Sequence, residues 1–67
     1  MSDIDLLKKK IEQSGMKMTS IAKKAGVPRE TLYNRLNERG EFKASEITAL
    51  TSVLNLSKDE RDKIFLS

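Results

Sequence analysis

Apolar residues recur at helical spacing from one end of this 67-residue chain to the other. Ile4, Leu7 and Ile11 fall on one stripe, as do Ile47, Leu50 and Leu54. Both sets follow the i, i+3, i+7 pattern of an amphipathic helix. Runs with the period-two alternation of a strand are missing, and glycine and proline fall only at punctuation points. The pattern predicts five helices. Ser2 with Asp5 reads as a capping box for the first, which runs to about Gln13 and stops at Gly15. The second covers about Met18 to Ala25 and stops at Gly26. Pro28, with fixed φ and no donor, suits the first position of the third, which runs to about Asn37. Residues 38–43 form a polar loop anchored by Phe42. The fourth helix covers about Ala44 to Leu54, with Asn55 as its left-handed cap and Leu56 folding back onto it. Ser57 and Glu60 make a capping box for the fifth, which continues to about Leu66. The expected core is Leu7, Ile11, Ile21, Ala22, Ala25, Val27, Leu32, Leu36, Phe42, Ile47, Leu50, Leu54, Leu56 and Ile64. The expectation is therefore an all-α fold, a single compact five-helix domain over residues 1–67.

The segment Ile21–Leu36, IAKKAGVPRETLYNRL, gives the helices a purpose. Ala22 is small where two helices cross closely. Gly26, four residues on, permits positive φ in a turn. Leu32, six residues further, packs the second helix back onto the first. Two short helices joined by a three- to four-residue turn containing glycine make a helix-turn-helix unit, whose second helix enters the DNA major groove.

Charge placement supports a nucleic-acid reading. Residues 17–43 carry seven basic residues against three glutamates, an excess of +4, although the whole chain carries only +3. Such clustering is the footprint of a phosphate-contacting face. Composition narrows the alternatives. Cysteine and histidine are absent, which excludes disulfide stapling, thiolate metal sites and the commonest acid/base residue. A chain near this size buries only roughly 60% of its unfolded surface, leaving no room for an enzyme cleft with supporting structure. No Gly-rich phosphate loop is present, and the carboxylates lie on charged helix faces. The expectation is a non-enzyme with no cofactor, no metal and no small-molecule ligand. The apolar runs are too short to span a membrane, and the acidic N-terminus lacks a signal-peptide pattern, so a cytoplasmic protein is expected.

The spacing Ala22-x3-Gly26-x5-Leu32, with Ile21 and Val27 beside it, resembles the helix-turn-helix of the phage lambda-repressor and Cro-like (XRE-type) DNA-binding family. The likeness covers almost the whole chain. The tail from Phe42 to Phe65, with FKASEI and a final ER-x2-IF, is similar to small Cro-type repressors of phages that infect Gram-positive bacteria. The resemblance implies a lambda-repressor-like domain with its helix-turn-helix at helices 2 and 3 and a recognition helix over about residues 28–37. It implies base readout by Arg29, Glu30, Thr31, Tyr33 and Asn34. Arg29 leads, because its planar fork can grip guanine O6 and N7. Asn34 can bond adenine or a phosphate, and Thr31 offers a methyl to thymine or a hydroxyl to phosphate. Glu30 can accept from cytosine N4, orient Arg29 through an ion pair, or simply be solvated. Tyr33 reads either as partial core packing or as a DNA contact. Phosphate positioning falls to Lys17, Thr19, Pro28, Asn37, Arg39 and Lys43, with the N-terminus of helix 2. Lys23 and Lys24, like Lys8, Lys9 and Lys10, read as surface charges. The chain departs from the family pattern at Met18, where Gln often holds a phosphate, at Lys17, where a hydroxyl cap is common, and at Pro28, where Ser or Thr often caps helix 3. Lys17 and Thr19 are left to take that backbone contact.

Ile64, Phe65 and Leu66 cannot all point inward from one helix: either one or two of them dock at a frayed terminus, or the three make a small dimer contact, the role assigned to them. Small modules commonly gain specificity as dimers on half-sites about one turn, ~34 Å, apart. The expected partner is double-stranded operator DNA, bound by a homodimer that associates weakly in solution, in a bacterial host cytoplasm and on the nucleoid. The alternative is a protein-binding regulator, an antirepressor or adaptor, that keeps the helix-turn-helix as scaffold. Met18 and the aliphatic C-terminus motivate it.

Overall fold

The computed structural model describes residues 3–66, and these form five α-helices with no strand among them. They are α1 (Ile4–Ser14), α2 (Met18–Ala25), α3 (Arg29–Leu36), α4 (Ala44–Val53) and α5 (Lys58–Phe65). The all-α, five-helix expectation holds, with ends displaced by a residue or so. The Ser2 half of the expected capping box lies outside the described residues. Asp3 is the N-cap of α1, where its carboxylate accepts from the Leu6 amide at 3.1 Å.

Local signals stop each helix. Gly15 leaves α1 in the left-handed region at φ 71°, and the Ser14 hydroxyl bridges the Ile11 carbonyl to the Met16 amide. Both α3 and α4 close on Schellman motifs. Arg39 donates to Asn34 O and Glu38 to Arg35 O after α3, and Leu56 donates to Thr51 O and Asn55 to Ser52 O after α4. Asn55 fills its left-handed position at φ 53°, as expected. After α3 that position is held by Glu38 at φ 59°, a side chain with no affinity for this conformation. Ser57 and Glu60 complete the capping box of α5, with reciprocal bonds of 3.1 and 2.9 Å.

The core gathers Leu7, Ile11, Ile21, Ala22, Leu32, Leu36, Leu50, Leu56, Ile64 and Phe65. Ala25, Val27, Phe42, Ile47 and Leu54, expected inside, are half-buried against its rim. A domain this small has too little interior to enclose every apolar side chain. Helix α2 lies against α3 and α4, and α5 bridges α1 and α4. The C-terminal dimer assignment needs correction. Ile64 is fully buried, and its carbonyl accepts from the Asp3 amide, pinning α5 to the start of α1. Phe65 packs edge-on against Phe42, with ring centroids 5.2 Å apart and planes at 74°. Both side chains are consumed in the chain's own core, and only Leu66, at 69% exposure, remains outside.

A polar tie also joins the outer helices. Lys10 on α1 pairs with Glu60 on α5. The ammonium first, then the Ser57 backbone amide, lowers the Glu60 carboxyl from 4.5 to about 2. Since the folded-state value lies below the unfolded one, the stabilisation is complete above about pH 4.5 and disappears as the pH falls towards 2. The melting temperature of wild type should therefore exceed that of Glu60→Gln at pH 7, and the gap should close by about pH 2. A gap independent of pH in thermal melts would contradict the assignment.

Candidate nucleic-acid interface

The turn between α2 and α3 follows from three residues. Ala22 is buried, so the two helices approach closely. Gly26 takes φ 69°, and its amide and that of Val27 close α2 onto Lys23 O and Ala22 O. A side chain at Gly26 meets no steric obstacle, so the left-handed backbone alone demands glycine there. Pro28 then starts α3. It is the N-cap rather than the first helical residue expected from sequence, because its ψ of 138° is extended while its carbonyl accepts from the Leu32 amide at 3.0 Å.

Leu32 and Leu36 turn one side of α3 into the core. The opposite stripe, at i, i+3, i+4 and i+7, consists of Glu30, Tyr33, Asn34 and Asn37. Arg29, Glu30 and Asn37 are exposed and Thr31 and Asn34 half-exposed. Tyr33 is 44% exposed, so it is available at the surface rather than enclosed in the core. All five residues expected to read bases thus lie on this short helix. Among the described residues Glu30 forms no ion pair with Arg29.

The six expected phosphate contacts, Lys17, Thr19, Pro28, Asn37, Arg39 and Lys43, are all exposed. Pro28 and Lys43, far apart in sequence, line one shallow depression with Gly26, Val27, Ser45 and Glu46. Glu38 and Glu41 instead line a different groove, beside Ile4, Ile47 and Phe65. Two of the three acids of the basic segment thus lie away from the turn, and the third, Glu30, stays exposed in the first turn of α3. Lys23 and Lys24 occupy the last turn of α2, where they favour the negative end of its dipole.

The helix starts divide into two kinds. The outer helices, α1 and α5, are capped by side-chain oxygens of Asp3 and Ser57. The three inner ones begin at Lys17, Pro28 and Lys43, none of which accepts a capping bond. At α4 only Glu46 contributes, accepting from the Lys43 amide at 2.9 Å, since an ammonium has no acceptor to return. A lysine at a helix N-terminus opposes the dipole by about 0.3–1 kcal/mol. Uncapped amide ends with adjacent cations have what an anion lacks in water: aimed donors and a positive field. Met18 is half-buried against the core. It therefore packs rather than holding a phosphate.

Sequence reading missed Arg35. It was counted among the seven basic residues but given no role. Its side chain is only 17% exposed and reaches Glu46 at 3.4 Å and the Arg39 carbonyl at 3.3 Å. The available signal was its position on the helix, one residue before Leu36 and three after Leu32, on the flank of the buried stripe.

A fold of short helices around a glycine turn, with an exposed polar helix and a basic surround, defines a DNA-binding helix-turn-helix module. The helix-turn-helix family model matches residues 7–61, and the chain belongs to that family. The family is a DNA-binding, non-enzymatic domain. Comparison with curated proteins and with solved structures gave no match. No helix among the described residues is long and apolar enough to cross a membrane.

Proposed function

We infer that the chain is a sequence-specific repressor of the Cro type, phage-derived, which seats α3 in the major groove of an operator. The observation that carries this reading is the exposed polar stripe of α3 together with the lysine-flanked starts of α2 and α4, where neither N-cap side chain accepts a capping bond. Arg29, Glu30, Thr31, Tyr33 and Asn34 read bases, and Lys17, Thr19, Pro28, Asn37, Arg39 and Lys43 set the register on the backbone. The body measures 26 × 23 × 20 Å, shorter in every direction than one turn of DNA at ~34 Å. One chain therefore covers one half-site, and a palindromic operator takes two. With Ile64 and Phe65 inside, the dimer contact keeps Leu66, which fits weak association in solution and pairing on DNA. Such a regulator works in the bacterial cytoplasm, on the nucleoid. An adaptor role drew on Met18 and the aliphatic C-terminus, and both are largely used in the core.

Selection from a random duplex pool, followed by a salt titration on the recovered site, tests the reading. Three cationic contacts per chain (Lys17, Arg39 and Lys43) make about six in a dimer. At about −0.9 per phosphate the log–log slope should be near −5, against about −3 for a single chain. Recovery of no preferred sequence, or a slope flatter than about −1, would overturn the proposal.

A further inference from the structure

The loop between α3 and α4 combines two positive-φ residues, Glu38 at 59° and Gly40 at 88°, with two exposed cations, Arg39 and Lys43. A seven-residue loop of that composition has little reason to hold one shape. A single pair of side chains spans it. Arg35 Nη1 donates to the Arg39 carbonyl at 3.3 Å, and Arg35 Nε faces Glu46 Oε1 at 3.4 Å. The same Glu46 oxygen accepts from the Lys43 amide at 2.9 Å. The loop closes so tightly over the guanidinium that a Cβ on Gly40 would lie 2.6 Å from Nη1. Arg35 and Glu46 are only 17% and 12% exposed, so neither offers its charge to a ligand. They connect the recognition helix, the loop and the start of α4 through one carboxylate oxygen and one planar fork, a geometry that lysine cannot reproduce.

We propose that Arg35 and Glu46 are positioning residues: a brace that fixes Arg39 and Lys43 relative to α3, so that the phosphate contacts and the base-reading helix engage DNA together. The role rests on the DNA-binding reading above. It gives the brace an effect opposite in sign to simple electrostatics. Removing the Glu46 carboxylate makes the protein more positive, which by charge alone tightens binding to a polyanion. Through the brace it loosens two cationic contacts.

The experiment measures binding of Glu46→Ala, Arg35→Met and wild type to a random-sequence 20-base-pair duplex over a salt series. Hydrogen exchange of residues 38–43 is recorded in parallel. Wild type should bind with a slope near −3. Both variants should stay folded by circular dichroism, bind on the order of 10-fold more weakly at 0.1 M salt, and show slopes shallower by about 1–2. Amide protection should fall at Arg39 and Lys43, while the core of α2 and α3 stays protected. Glu46→Ala binding as tightly as wild type, or more tightly, with an unchanged slope overturns the positioning role. Unchanged exchange at Arg39 and Lys43 in Arg35→Met overturns the brace itself. Wild type that fails to bind the duplex while the variants lose loop protection overturns the DNA-binding reading and leaves a brace of purely structural purpose.

Discussion

Truncating Leu32 to alanine should remove about 2–5 kcal/mol of folding stability, because the side chain is fully buried and the surrounding helices can close the gap only in part. A domain of this length holds roughly 3–10 kcal/mol in total, at about 0.05–0.15 kcal/mol per residue. The substitution therefore takes a large share of the fold. For 60–100 residues each kcal/mol shifts the melting temperature by about 4–8 °C, so a drop of more than about 10 °C is expected. Thr48→Ala, on the exposed side of α4, should shift it by only a few degrees. Leu32 is also the residue by which α3 seats on α2, so the loss should reach DNA binding even at temperatures where the variant is folded. A Leu32→Ala melt within about 3 °C of wild type would show that the recognition helix is held by something other than this contact.

What the sequence revealed and what it concealed divide along the range of the interactions involved. Gly26, Asn55 and the Ser57–Glu60 box were legible because a helix end is decided within about six residues, and glycine, asparagine and serine each have a specific local reason to sit there. The faces of α3 were legible because a period of 3.6 assigns Leu32 and Leu36 inward and leaves Glu30, Tyr33 and Asn34 outward. Phe65 was misassigned for the opposite reason. Its place is set by the ring of Phe42, more than twenty residues earlier, and nothing adjacent to Phe65 reports that partner. Arg35 was passed over similarly, since its role comes from Glu46 across the loop. Glu38 gave no local sign. Nothing in the chemistry of a glutamate favours positive φ, and only the Schellman geometry ending α3 requires it there, two residues before Gly40. Apart from the missing Phe65, the core was read with the right members and too generous a boundary, because hydrophobicity ranks preference for burial and the size of the interior limits how many side chains can have it.

Arg29→Ala should weaken binding of the two chains to the selected operator by about 100- to 10,000-fold, because the roughly 1–3 kcal/mol of a bidentate guanine contact is lost in each half-site. Arg29 is the first residue of α3, exposed, and joined to no carboxylate among the described residues. Its fork is therefore available to a base edge without breaking a partner. Affinity alone does not separate base readout from phosphate attraction, because removing any cation weakens binding to DNA. The salt dependence and the selected sequence do. A lost phosphate contact lowers the log–log slope by about 1 per chain, about 2 for the pair on an operator, and weakens all sequences alike. A lost base contact leaves the slope nearly unchanged, and the sequences recovered from a random pool become degenerate at one position in each half-site. Lys43→Ala supplies the contrast, with a shallower slope and an unaltered consensus. Arg29→Lys sharpens it further. It keeps the charge but presents a single point in place of two parallel donors, so the guanine preference should fade while affinity for unselected duplex persists. If Arg29→Ala recovers the wild-type consensus with undiminished discrimination, Arg29 is not a base reader, and recognition must pass to the Glu30–Asn34 stripe behind it.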